Sequence, residues 1–189
     1  MTGRVDGACR FGESRVRVST LGSYRGEAGR LVRSLKFGGD RRAVAGLGRG
    51  LAEMATAAGV VPDVVTWVPT TAARRGRRGV DQARLLARSA GRGLRRGGGR
   101  SAPRVPVRRL LLRAPDTGQT GRTGRQRRRG PVLRARAGVV PAGSTILLVD
   151  DVVTTGASMD AAVAALRDAG AGRVVPVAVA RTPRATQRR

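Results

Sequence analysis

The sequence contains no histidine, one cysteine, one lysine and very few aromatic side chains in its 189 residues, and each shortage excludes something. Without histidine, the usual Ser-His-Asp and Cys-His arrangements have no general base. One Cys and no His cannot assemble a zinc site of thiolates and imidazoles, so no zinc is expected and any metal would be a hard cation on oxygen ligands. Cys9 alone cannot form an internal disulfide. The rings are limited to Phe11, Tyr24, Phe37 and Trp67, too few to build a base-stacking platform for single-stranded nucleic acid. No apolar run approaches the length of a membrane span, and residues 1–12 lack the apolar stretch of a signal peptide. The expected location is the cytoplasm, with no membrane partner.

Acids are scarce as well: 12 Asp and Glu stand against 38 Lys and Arg, a formal charge of +26. Such a surface attracts polyanions and makes nucleic acid a candidate partner. Yet every basic residue except Lys36 is Arg, and Gly, Ala and Val abound, so a general skew in residue usage accounts for part of the charge. With 40% apolar residues the chain can bury a core, built of Val, Leu and Ala, and its length suits one domain.

Apolar spacing predicts helices over 26–37 (Ala28, Leu31, Val32, Leu35), 43–58 (Val44, Leu47, Leu51, Met54) and 81–94 (Ala83, Leu86, Ala87, Ala90). A β-branched run at 63–68, closed by Pro69, reads as a strand, and 105–112 as a short one. Residues 114–130 hold almost nothing apolar and read as a mobile connection, a length that in compact domains often marks a functional lid. The unbroken apolar run at 145–149 predicts a strand buried on both faces. A helix over 156–169 and a strand over 173–180 complete a β-α-β unit, and hence a parallel sheet. The fold class is α/β with a helical N-terminal portion.

The chemistry concentrates in residues 146–158, Ile-Leu-Leu-Val-Asp-Asp-Val-Val-Thr-Thr-Gly-Ala-Ser. A buried strand ends in two adjacent carboxylates, and a loop of hydroxyls and glycine then opens a helix. Ligands of open α/β sheets bind beyond the carboxyl ends of the strands. The free N–H groups at the start of a helix suit a phosphate, and Thr154, Thr155 and Ser158 add hydroxyl donors. Asp150 and Asp151 would be out of place beside a phosphate unless they serve another part of the same ligand, such as neighbouring sugar hydroxyls. Phosphate and diol within one reach describe a ribose 5-phosphate.

The segment closely resembles the signature of type I phosphoribosyltransferases, which bind 5-phosphoribosyl-1-pyrophosphate (PRPP). The resemblance implies a parallel sheet flanked by helices with a flexible hood. It also implies that Asp150 and Asp151 hold the ribose hydroxyls as the catalytic pair, and that Thr154, Thr155, Gly156, Ala157 and Ser158 hold the 5′-phosphate. Further pieces resemble the ComF family in order and spacing: Tyr24-Arg-Gly26, Leu35-Lys-Phe-Gly-Gly39, Trp67-Val-Pro69, Arg78-Gly-Val-Asp-Gln82 and Thr117-Gly-Gln-Thr-Gly121. The chain departs from that family in lacking its N-terminal four-Cys zinc module, and in the Arg127-Arg-Arg-Gly130 stretch, where an Asn is usual.

On this resemblance residues 1–22 form an extension, partly ordered at best, 23–181 the phosphoribosyltransferase-like domain with 114–130 as its hood, and 182–189 a disordered basic tail. Thr70, Thr71, Arg74, Arg75 and Arg78 become candidates for binding pyrophosphate, with Lys36 a weaker one, and Gln119 and Arg127 candidates within the hood. Mg²⁺ would enter with PRPP, near Asp150 and Asp151, rather than in a protein cage. The implied reaction transfers ribose 5-phosphate from PRPP to an acceptor the sequence does not name. The alternatives are a non-catalytic PRPP or nucleotide sensor and a competence-associated accessory of DNA uptake that binds nucleic acid through its arginines. Homodimers are frequent among such relatives.

Overall fold

The computed structural model describes residues 9–10, 16–38, 41–71, 76, 81–95, 101–114 and 131–182. Arg74, Arg75, Arg78, Gln119 and Arg127, residues 115–130 of the expected hood and 183–189 of the expected tail lie outside the described residues, as does the side chain of Lys36.

The elements run β1 (Cys9–Arg10), β2 (Arg17–Ser23), α1 (Glu27–Gly38), α2 (Arg41–Ala57), β3 (Val64–Trp67), α3 (Gln82–Gly93), β4 (Leu111–Arg113), β5 (Leu133–Ala135), β6 (Thr145–Val153), α4 (Ala157–Asp168) and β7 (Arg173–Arg181). The main sheet has the order β1-β2-β7-β6-β3, and β4 pairs with β5 in a separate two-stranded sheet. Strands β2, β7, β6 and β3 are mutually parallel, and β1 is antiparallel to β2. The fold is therefore α/β, a parallel central sheet flanked by helices, as the sequence predicts.

Alternation along the strands divides the interior in two. Leu147 and Val149 of β6, Val65 and Trp67 of β3, and Val177 and Val179 of β7 pack with α1, α2 and α3. Ile146, Leu148, Val64, Val174 and Ala178 turn the other way, onto Met159, Ala162, Val163 and Leu166 of α4 and onto Leu110, Leu111 and Leu133. Ile146, Leu147 and Leu148 are all fully buried. A strand covered on both faces needs a continuous apolar run, and each such side chain contributes roughly 1.5–3 kcal/mol on burial.

Helices α2 and α3 cross closely. A Cβ on Gly48 would lie 2.2 Å from Cβ of Ser89. Gly48→Leu is expected to destabilise the protein by about 1–3 kcal/mol through overpacking, although leucine is the better helix former. A lowered urea midpoint checks this, and an unchanged one would mean that the two helices separate at little cost.

Two elements depart from the sequence reading. The sequence gives no strand before residue 23, yet β2 pairs with β7 over Ser19↔Val177 to Ser23↔Arg181. It buries Val18 and Thr20 only, and its Arg, Ser and Gly residues hide the alternation. The strand expected at 105–112 shrinks to Leu111–Arg113. Proline explains the break: Pro106 has no N–H to donate, and it only accepts from Val65 N while Arg108 N bonds Val65 O.

Candidate functional site

Helix α3 follows β3 on one face of the sheet, and α4 follows β6 on the other. Beyond the carboxyl ends of β3 and β6 this leaves a crevice, the place where open α/β sheets receive ligands. A cavity of about 460 Å³ fills it, within the range usual for small-molecule sites. One wall is Asp150 to Gly156 with Ser158 and Met159; Pro69, Thr70, Asp81, Gln82 and Arg113 line the cavity on the β3 side, and Tyr24 and Thr182 at the ends of β2 and β7.

Adjacent residues on a strand normally point to opposite faces, yet Asp150 and Asp151 both line this cavity. The alternation of β6 slips by one at that pair. Leu147 and Val149 share their face with Val152, while Ile146 and Leu148 share theirs with Val153. Each carboxylate then accepts the next backbone N–H, Asp150 Oδ1 from Asp151 N and Asp151 Oδ1 from Val152 N, both at 2.8 Å. Burial pushes the Asp150 carboxyl well above the usual aspartate value, the Asp151 charge adds to the shift, and the Asp81 charge adds a smaller part. An N–H from Asp151 opposes it without cancelling it. Asp150 is thus held in a place that disfavours its charge.

Gly156 stands before α4 with φ +84°, and no side chain caps the helix there. A left-handed residue at the turn suits glycine, and the start of α4 keeps donors for a ligand. Thr155 Oγ1 takes only a long bond, 3.4 Å, from Ala157 N. Thr154 and Thr155 are exposed at the mouth. Of the residues the sequence singles out, the cavity gathers Asp150, Asp151, Thr154, Thr155, Gly156, Ser158 and Thr70, whereas Ala157 and Thr71 are not among its lining residues.

The opposite wall holds residues that received no role from the sequence. Asp81 caps α3, accepting from Arg84 N at 3.4 Å and from Trp67 Nε1 at 3.2 Å. Trp67 is buried, and its ring faces the Arg84 guanidinium at 5.9 Å. Arg113 of β4 lines the cavity and donates from Nη1 to Pro69 O at 3.5 Å. No pattern marks one arginine among so many. Asp81 and Gln82 do stand inside the Arg78-Gly-Val-Asp-Gln82 motif, which is the signal that could have found them.

Residues 100–189 match the phosphoribosyl transferase domain. That stretch contains β4 to β7, α4 and the whole segment from Asp150 to Ser158, while α1 to α3 and β3 precede it. No curated protein sequence matches the chain. Among solved structures it is similar to the allosteric regulatory enzyme of purine biosynthesis, at 24% identity and a TM-score of 0.46 over 71% of this chain. It is also similar to glutamine PRPP amidotransferase from B. subtilis, at 27% identity and a TM-score of 0.48 over 72% of this chain. The chain spans 26% of the length of each of these two. A third, purine phosphoribosyltransferase from Pyrococcus horikoshii Ot3, is 18% identical with a TM-score of 0.41, over 72% of this chain and 81% of that one.

Proposed function

We propose that the protein binds PRPP and transfers ribose 5-phosphate to an acceptor with release of pyrophosphate, in the manner of ComF-like phosphoribosyltransferases. One observation carries this reading: two adjacent carboxylates and a helix start without a side-chain cap face the same cavity. The phosphoribosyl transferase match spans both. Asp150 and Asp151 accept hydrogen bonds from the ribose 2′ and 3′ hydroxyls. Thr154 to Ser158, at the start of α4, hold the 5′-phosphate. In the reaction the bond from C1 to the pyrophosphate oxygen breaks, its electron pair leaves with pyrophosphate, and the acceptor forms the new bond at C1 and loses its proton. Positive charge grows on the ribose ring beside the carboxylates, which stabilise it, while Thr70 and Arg113 stand on the wall toward which the pyrophosphate departs.

Among the described residues no cluster of three or more acids, cysteines or histidines forms a metal cage. Asp150 and Asp151 offer hard oxygen donors near the ligand, a set that fits a Mg²⁺ ion carried in by PRPP. That ion would neutralise the leaving pyrophosphate.

Calorimetric titration of PRPP into the protein tests the reading. Saturable binding, weakened about tenfold or more when Mg²⁺ is removed, is the expected result, a difference of about 1.4 kcal/mol. Absence of binding by the folded protein would refute it. Pyrophosphate release in the presence of candidate amines and nitrogenous bases then separates a transferase from a sensor. A second reading, contact with a polyanion such as nucleic acid, draws on Arg84, Arg88 and Arg92, which are exposed one turn apart along α3.

A further inference from the structure

Gln82 is the first residue of α3 and stands at the cavity wall with only 5% of its surface exposed. Its carboxamide nitrogen is enclosed, and among the described residues it finds no hydrogen-bond partner. A buried amide donor that makes no bond is a net cost to a fold, and such groups are rare enough to need a reason. The adjacent carboxylate is already committed: Asp81 Oδ2 is taken by Trp67 and Oδ1 by the Arg84 backbone. What Gln82 lacks is an acceptor oxygen; the residue lines the ligand cavity, and a turn of its side chain would bring the enclosed Nε2 to it.

The position of Gln82 indicates which oxygen. The ribose and its 5′-phosphate belong to the wall formed by Asp150 to Ser158. Gln82 lies on the other wall, with Pro69 and Thr70 from the end of β3 and with Arg113 from β4. On a PRPP molecule anchored by its ribose, the remaining acceptor oxygens are those of the pyrophosphate. We propose that Gln82 donates its Nε2 hydrogen to a pyrophosphate oxygen and so selects PRPP over ribose 5-phosphate. This rests on the reading of the site given above. A neutral donor suits the place. It adds no buried charge beside Asp81, and it can hold the pyrophosphate both before and after C1 is released.

The test is to titrate Mg²⁺ with PRPP, with inorganic pyrophosphate and with ribose 5-phosphate into the wild type, Gln82→Met and Gln82→Glu. Methionine keeps the length of the side chain and removes the donor. Affinity for PRPP and pyrophosphate should fall about tenfold in Gln82→Met, the worth of one hydrogen bond to a charged group. Affinity for ribose 5-phosphate should stay within about twofold of the wild type, well under one such bond. Gln82→Glu should weaken the two pyrophosphate ligands further, because a carboxylate repels them. The melting temperature of unliganded Gln82→Met should equal or exceed that of the wild type, since a donor without a partner is lost.

Equal loss for all three ligands, or no loss for PRPP, would overturn the role of Gln82 and leave the ribose 5-phosphate site standing. A Gln82→Met protein that melts well below the wild type would show an amide satisfied within the fold, and would overturn it too. If the wild type binds none of the three ligands, the reading of the site fails and this assignment falls with it.

Discussion

Replacing both acids of the cavity, Asp150→Asn with Asp151→Asn, is expected to lower PRPP affinity by at least about a hundredfold without lowering the melting temperature. Two charge-assisted hydrogen bonds to ribose hydroxyls are worth roughly 1.5–3 kcal/mol each, so losing both removes two decades or more. The fold does not need the charges. In the unliganded protein each carboxylate bonds the next backbone N–H through Oδ1, and the Oδ1 of asparagine accepts the same bond. Repulsion between the neighbouring carboxylates, and between Asp150 and Asp81, disappears in the variant. Calorimetry with PRPP and a thermal melt of the same preparation make the measurement. Near-normal affinity would move the ribose away from this pair. Lost affinity together with a lowered melt would trace the effect to the fold rather than to the ligand.

Much of this was legible in the sequence because a strand buried on both faces cannot disguise itself. Thr145 to Val149 announces β6 by an apolar run, Arg173 to Ala180 announces β7 by alternation, and Gly170 closes α4. The crevice was legible too, since a strand followed by hydroxyls, glycine and a helix places its acids at the carboxyl edge of the sheet. What stayed hidden depends on partners distant in the chain. Strand β2 has few apolar residues of its own and exists as a strand through its pairing with β7. The slip at Asp150-Asp151 shows only in which neighbours the flanking side chains meet, and no local pattern foretells it. That slip matters most for the site, because a regular strand would send one of the two acids away from the cavity. The second wall was hidden for another reason. Residues 71–80, and then the rest of α3 with residues 94–112, intervene between its members, and only the fold brings Gln82 and Arg113 beside Thr70.

Asp150→Asn alone should separate what the site costs the fold from what it gives the ligand. The carboxyl of Asp150 titrates well above the ordinary aspartate value of 3.8, through burial first and the Asp151 charge second. A folded state that binds the proton more tightly than the unfolded chain loses stability as pH rises through the folded pKa. Below the ordinary value both states are protonated, and that contribution to stability is fully present. The melting temperature of the wild type should therefore decline relative to Asp150→Asn as pH rises from about 3.5 to 8. The two proteins converge at the acid end, and the variant is the more stable at neutral pH, by on the order of 2–4 °C for each kcal/mol relieved. Saturating PRPP with Mg²⁺ should abolish the difference in slope, because hydroxyl donors and a cation favour the carboxylate. A wild type that gains on the variant with rising pH would mean that the charge is stabilised before any ligand arrives. Asp150 would then belong to the architecture of the strand end rather than to the ligand.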